Sequence, residues 1–162
     1  MSGTDNTQFD PNETASRSTI IDILYNVAGS PSVDGLANPF TDVPDDEYYA
    51  DAVKWASASS IIAGVGDGLY DPDAPITRQD LVVILSRFAN LLGLNLPGSP
   101  GGHSFSDEAD CAGYAKDAID AFFQAGIIAG YPDGSFRPTG EATKAEVAAI
   151  IVRFIKLLGA NN

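Results

Sequence analysis

The sequence predicts an all-α fold assembled from repeats, and three observations predict it. Residues 60–80, SIIAGVGDGLYDPDAPITRQD, recur without a gap at 126–146 as GIIAGYPDGSFRPTGEATKAE, each pair 66 positions apart. A partial third copy stands at the front, where Phe9-Asp10-Pro11 and Ser16-Arg17 precede Tyr70-Asp71-Pro72 and Thr77-Arg78 by 61 positions. Each copy ends in a Ser or Thr that opens an apolar stripe at helical spacing, and no strand pattern is evident. A unit this small buries little of its apolar face alone, so the copies are expected to pack together as one compact domain.

Residues 1–8 are polar and read as a disordered tail. A partial repeat, its second half only, fills 9–31. Ser16 caps a helix carrying Ile20, Ile21, Ile23, Leu24, Val27 and Ala28, and Gly29-Ser30-Pro31 stops it. A full repeat spans 40–96. It opens at Phe40-Thr41-Asp42, and its first helix runs from Tyr48 to Ser59 with Tyr49 on the apolar face. The loop Ile61 to Asp73 turns at Gly66-Asp67-Gly68. Thr77 then caps a helix with Asp80 at its third position, the spacing of a capping box, and Leu81, Leu85 and Phe88 in its stripe. After a linker at 96–102, the second full repeat, 103–159, follows the same plan. Its helix from Tyr114 to Ala125 leads to the turn Tyr131-Pro132-Asp133-Gly134 and a Thr143-capped helix with Val147, Ile151, Phe154 and Leu158.

With 162 residues and 44% apolar content, the chain is long and apolar enough for a packed core and unlike a disordered one. A formal net charge of −13 argues against nucleic acid and against electrostatic docking on an anionic membrane. Cys111 is the only cysteine and has no internal disulfide partner. No run is long enough to span a bilayer. The opening residues lack the basic and apolar regions of a signal peptide, and the chain starts in mid-repeat. Either the protein stays inside the cell or the chain is a fragment whose export signal lies elsewhere, and the start in mid-repeat favours the fragment.

The motifs Phe40-Thr41-Asp42 and Phe105-Ser106-Asp107, the Ile61-to-Pro72 and Ile127-to-Pro138 loops, and the Thr77-Arg78-Gln79-Asp80 and Thr143-Lys144-Ala145-Glu146 helix starts resemble the S-layer homology (SLH) family. Ser16-Arg17-Ser18-Thr19 is the first, degraded copy of that last motif. The resemblance implies a pseudo-threefold helical repeat domain with a central three-helix bundle. It also implies non-covalent anchoring to bacterial secondary cell-wall polysaccharide, often a pyruvylated one, in grooves between repeats. The residues themselves suggest a non-catalytic module with no cofactor and no metal cluster. The arginine of the helix-start motif is the residue the family associates with that binding. Here the first repeat lacks its front half, and Lys144 stands in place of arginine.

On that resemblance Arg78 is the primary ligand contact, with Arg17 and Lys144 as its equivalents. The chemistry agrees with the expectation, because a helix start presents unpaired N–H groups and a positive dipole end to an anion. A guanidinium adds a bidentate fork for a carboxylate. The other reading is that Thr77 and Asp80 only cap while Arg78 pairs with a neighbouring carboxylate. Asp67 and Asp133 face a glycan, hold a metal, or simply turn the chain. Trp55 lies off the main stripe and is placed in a groove, with the core as its alternative. The acidic runs Asp45-Asp46-Glu47 and Asp107-Glu108 read as solvated helix starts, and no nucleophile–base set points to an enzyme. A second functional class is self-assembly or protein binding through an apolar face near Ile20 to Val27, left uncovered by the missing helix.

Overall fold

The computed structural model describes residues 10–94, 96 and 104–160. The tail at 1–8, most of the linker at 96–102, and His103 lie outside the described residues. Among the described residues five α-helices follow in order: α1 Arg17–Val27, α2 Ala50–Ala58, α3 Arg78–Leu91, α4 Lys116–Gln124 and α5 Lys144–Ala160. One 3-10 turn, Glu108–Asp110, precedes α4 and was not foreseen. Among the described residues there is no strand, and the extended segments meet only as isolated bridges.

The helix starts follow the expected capping chemistry. Ser16, Thr77 and Thr143 each accept a hydrogen bond from the N–H three residues on, at 3.2, 3.3 and 3.1 Å. Helices α2 and α4 have no side-chain cap and instead carry Asp51 and Asp117 in their first turns, charges that suit the positive end of the helix dipole. Gly93 closes α3 at φ +68°, a left-handed turn that a residue with a Cβ enters only under strain.

The chain divides into two compact units. The first comprises Asp10 and residues 15–75; the second comprises residues 11–14 and 76–160. The division falls half a repeat out of step with the sequence repeats. In the first unit α1 packs on α2, and in the second α3 packs on α4. Each Ser- or Thr-capped helix of these pairs therefore joins the leading helix of the next copy, not the one in its own copy. Helix α1 buries Ile20, Ile21 and Leu24, so the uncovered apolar face expected from Ile20 to Val27 is not there; Val27, at 39% exposed, is its one large apolar side chain left to solvent. In the second unit Phe88 and Phe122 close on Phe154 of α5, with ring centroids 6.0 and 6.1 Å apart.

Two devices stiffen the repeated loops. Asp42 accepts the backbone N–H groups of Tyr70 and Asp71 at 2.9 and 2.8 Å. Asp107 does the same for Phe136 and Arg137 at the same two distances. Asp71 and Arg137 both sit at φ +60°, a strained conformation for residues with a Cβ, and the carboxylate clamp holds them there. Asp107 is thus a loop clamp and not the freely solvated helix-start residue expected from the sequence. The second device is close approach. A Cβ on Gly130 would lie 2.7 Å from Phe105 Cε1 and 2.8 Å from the Ser135 carbonyl oxygen, and Gly64 is equally confined by Phe40 and Leu69.

Two outcomes follow. Gly130→Ala should lower stability by about 1–3 kcal/mol through overpacking, whereas Gly113→Ala, with nothing near its added methyl, should stay within about 0.5 kcal/mol of wild type in thermal melts. The second concerns acid. Burial disfavours the Asp42 carboxylate, but the Tyr70 and Asp71 N–H groups and the nearby Arg17 outweigh it and hold its pKa below the ordinary 3.8. A depressed folded-state pKa adds stability above the unfolded value and loses it as pH falls through the folded one. Asp42→Asn should therefore melt lower than wild type at pH 7, and the gap should close as the pH drops below about 4.

Candidate functional site

The starts of α1, α3 and α5 are built alike. In α1 the N–H groups of Arg17 and Ser18 donate to the carbonyls of Ala74 and Pro72 at 2.9 and 3.0 Å. In α3 those of Arg78 and Gln79 donate to Gly140 and Pro138, both at 2.9 Å. In α5 those of Lys144 and Ala145 donate to Glu13 and Pro11 at 2.8 and 3.1 Å. The acceptors are equivalent residues of the repeated loop. The helix-start N–H groups expected to receive an anion are thus already taken by main-chain oxygen.

The side chains at the second motif position extend the same pattern. Arg17 Nε donates to the Tyr70 carbonyl at 2.9 Å, and its guanidinium lies 4.7 Å from the Tyr70 ring centroid. Arg78 Nε donates to the Phe136 carbonyl at 2.8 Å, with its guanidinium 4.7 Å from the Phe136 ring and 4.8 Å from that of Tyr131. Arg78 also pairs with Glu146, whose other oxygen accepts from the Thr143 hydroxyl at 3.3 Å. The reading of Arg78 as partner to a neighbouring carboxylate therefore holds, and its residue is only 6% exposed. Lys144 pairs with Glu13.

Beside Arg78 a cleft of about 280 Å³ opens in the second unit. One wall is the loop Ile128 to Tyr131; the other is the face of α5 that carries Glu146, Ala149, Ile150 and Arg153. Those four residues stand at i, i+3, i+4 and i+7, which brings them onto one side of a helix. Arg153 is exposed and donates from Nη1 to the Ile127 carbonyl at 3.3 Å. Tyr131 OH donates to Glu146 at 3.2 Å. The cleft so joins two guanidiniums, one carboxylate, a phenol and an apolar floor. It suits a small acidic ligand with an apolar edge.

The other expected residues do not join it. Trp55 is 6% exposed and packs on Tyr25, ring centroids 5.6 Å apart, in the α1–α2 core. The groove position expected for it is corrected: its flat ring fills the space between two helices. Tyr49 is core, as expected. Asp133 is exposed at its turn, where the Ser135 hydroxyl and N–H, with Arg137 nearby, hold its pKa below the ordinary range. Asp67 is likewise an exposed turn residue, at φ +55°. Neither lines the cleft. Arg153 and Tyr131 were missed as site residues. Arg153 repeats Arg87 at the 66-residue spacing, a signal present in the sequence, whereas Tyr131 stands opposite Val65 and breaks the repeat.

A second cleft of similar size is lined by Phe105, Glu108, Cys111, Lys116 and Ile119. Burial, with Asp107 and Glu108 nearby, pushes the Cys111 thiol up, so it stays protonated and a poor nucleophile at neutral pH.

Comparison with known proteins agrees with this construction. The S-layer homology domain matches residues 39–82 and 104–148, more than half of the chain. The chain is 29% identical over 98% of its length to the amylopullulanase of Thermoanaerobacterium thermosulfurigenes. It is 30% identical over 93% to exoglucanase XynX, and 30% over 72% to the cellulosome-anchoring protein, both of Acetivibrio thermocellus. It spans 8%, 14% and 26% of those three proteins. Domains of this kind anchor surface proteins to the cell wall. Two matched copies and a helical repeat construction together place the chain in the S-layer homology domain family.

Proposed function

We propose that this chain is a non-catalytic anchoring module that holds a larger protein on the bacterial cell surface by binding an acidic secondary cell-wall polysaccharide, with a pyruvylated sugar as the candidate ligand. The observation that carries the reading is the cleft lined by Arg78, Tyr131 and Arg153, where the exposed Arg153 guanidinium stands beside an apolar floor in a chain of net charge −13. Such a chain repels a polyanion at long range, so recognition has to rest on a locally placed cation. The relatives support the reading. Two carry names of carbohydrate-active enzymes, yet the chain matches 14% or less of either, as a separate module would. No helix among the described residues is long and apolar enough to cross a membrane, and attachment through the wall requires none.

Arg17 and Lys144 are the corresponding positions in the other copies, and they differ in what they offer. Arg17 keeps the guanidinium fork, while Lys144 lacks it and already faces Glu13. Trp55 is no part of the proposed site. Asp67 and Asp133 shape turns. The self-assembly reading loses its motive with the burial of Ile20, Ile21 and Leu24.

The test blocks the cleft without disturbing the core. Ala149 is exposed on the cleft face of α5. Ala149→Trp should weaken co-sedimentation with purified wall polysaccharide by about tenfold or more, a loss of roughly 1.4 kcal/mol or above, while melting with wild type. Binding that survives the indole would place the glycan site elsewhere.

A further inference from the structure

Arg78 and Arg153 line one cleft in opposite states. Arg78 is spent: Nε on the Phe136 carbonyl, Nη1 on the Glu146 carboxylate, Nη2 towards the Ala129 carbonyl at 3.5 Å, and two aromatic rings within 5 Å of its guanidinium. Its charge is matched inside the cleft, and Glu146, with a side chain 29% exposed, would repel an anion that came to displace it. Arg153 is exposed, and its one assigned bond goes to a neutral carbonyl, which leaves most of its five donors turned to solvent.

We propose that Arg153 makes the direct contact to the ligand's carboxylate, and that Arg78 is a positioning residue that braces the loop wall. This rests on the cleft being the glycan site. The spacing along α5 supports the assignment. Arg153 stands seven residues beyond Glu146, roughly 10 Å along the helix axis, enough for a sugar ring between them. Ala149 and Ile150 form an apolar floor over that interval. An acidic saccharide would set its carboxylate on the Arg153 fork and its apolar edge over Ala149 and Ile150, with a hydroxyl donated to Glu146. The ligand class is therefore a sugar whose acid group and hydrogen-bonding hydroxyl lie at opposite ends of one residue.

The test is a titration against wall polysaccharide purified from the bacterium that makes this chain, native and with its carboxyl groups chemically reduced, using wild type, Arg153→Ala, Arg153→Lys and Arg78→Met. Wild type should bind the native polymer and lose most of that affinity on the reduced one. Arg153→Ala should lose about tenfold or more on the native polymer, the weight of a charge-assisted hydrogen bond, with unchanged melting temperature and no further loss on the reduced polymer. Arg153→Lys should fall between, keeping charge without the fork. Arg78→Met should lose affinity only together with a melting temperature several degrees lower. Native binding by Arg153→Ala equal to wild type overturns the assignment and leaves the cleft reading standing. Failure of wild type to bind the native polymer brings down both.

Discussion

The structure depends on one repeated bond pattern: the first two backbone N–H groups of a helix seated on two carbonyls of a proline-bearing loop. A helix leaves four N–H groups without intrahelical partners at its start. Here the capping hydroxyl takes one, and the loop carbonyls two residues apart take two more. The acceptors are Pro72 and Ala74 for α1, Pro138 and Gly140 for α3, and Pro11 and Glu13 for α5. Proline suits this place because it fixes its own φ and, although it lacks an N–H, keeps a carbonyl that accepts. The seating loop never belongs to the same copy as the helix it seats. Helices α1 and α3 use the loop of the following copy, and α5 uses the first loop of the chain.

This seating decides what the helix-start motif can do. On sequence alone the motif combines a dipole end, unpaired N–H groups and an arginine, the ingredients of an anion site. The first two ingredients are real in an isolated helix, yet they are consumed when the loop docks. The arginine then acts as a third clasp, since Nε of Arg17 and of Arg78 each reach the carbonyl of the loop aromatic. The open space lies instead on the flank, where the α5 face and the loop leave a gap, and there the proposed site is set. Lys144 breaks the clasp pattern for a chemical reason, because an ammonium has no Nε, and it takes a carboxylate, Glu13, in exchange.

The local grammar of the fold was legible in the sequence. Ser16, Thr77 and Thr143 mark helix starts because a hydroxyl there accepts an N–H whatever surrounds it, and the stripes through Leu24, Phe88 and Phe154 mark buried faces because helical periodicity is intrinsic. The half-repeat offset of the packing was not legible. Self-similarity reports which segments are equivalent and is silent on which neighbour each one chooses, since any cyclic shift of pairing conserves the repeat. Trp55 was misplaced for a related reason: its partner Tyr25 lies on a helix of a different copy, and a stripe drawn on one helix does not show it. Arg153 lies outside the helix-start motif, and although its counterpart Arg87 stands at the same spacing, only the gap beside α5 shows what such a position can reach. Asp107 was underrated because a carboxylate near a helix start has two ordinary uses, and the clamp on Phe136 and Arg137 needs a loop about thirty residues away to be in place.

The same loop holds the fold together and walls the proposed site, and this couples the two. Residues 128–140 seat α3, hold Arg78, and form one wall of the cleft. Gly130 lines the cleft and also admits the Phe105 ring at a distance no side chain would allow. The Asp107 clamp that holds Arg137 at positive φ thereby also sets where Tyr131 stands, since the Arg137 guanidinium lies 3.6 Å from the Tyr131 ring centroid. A site built this way is organised before its ligand arrives, because the bonds that shape it are the bonds that fold it. What remains adjustable is the exposed arginine on α5, which carries charge without carrying the fold. If the cleft is the glycan site, substitution there would change ligand preference while the loop and the helix starts stay as they are.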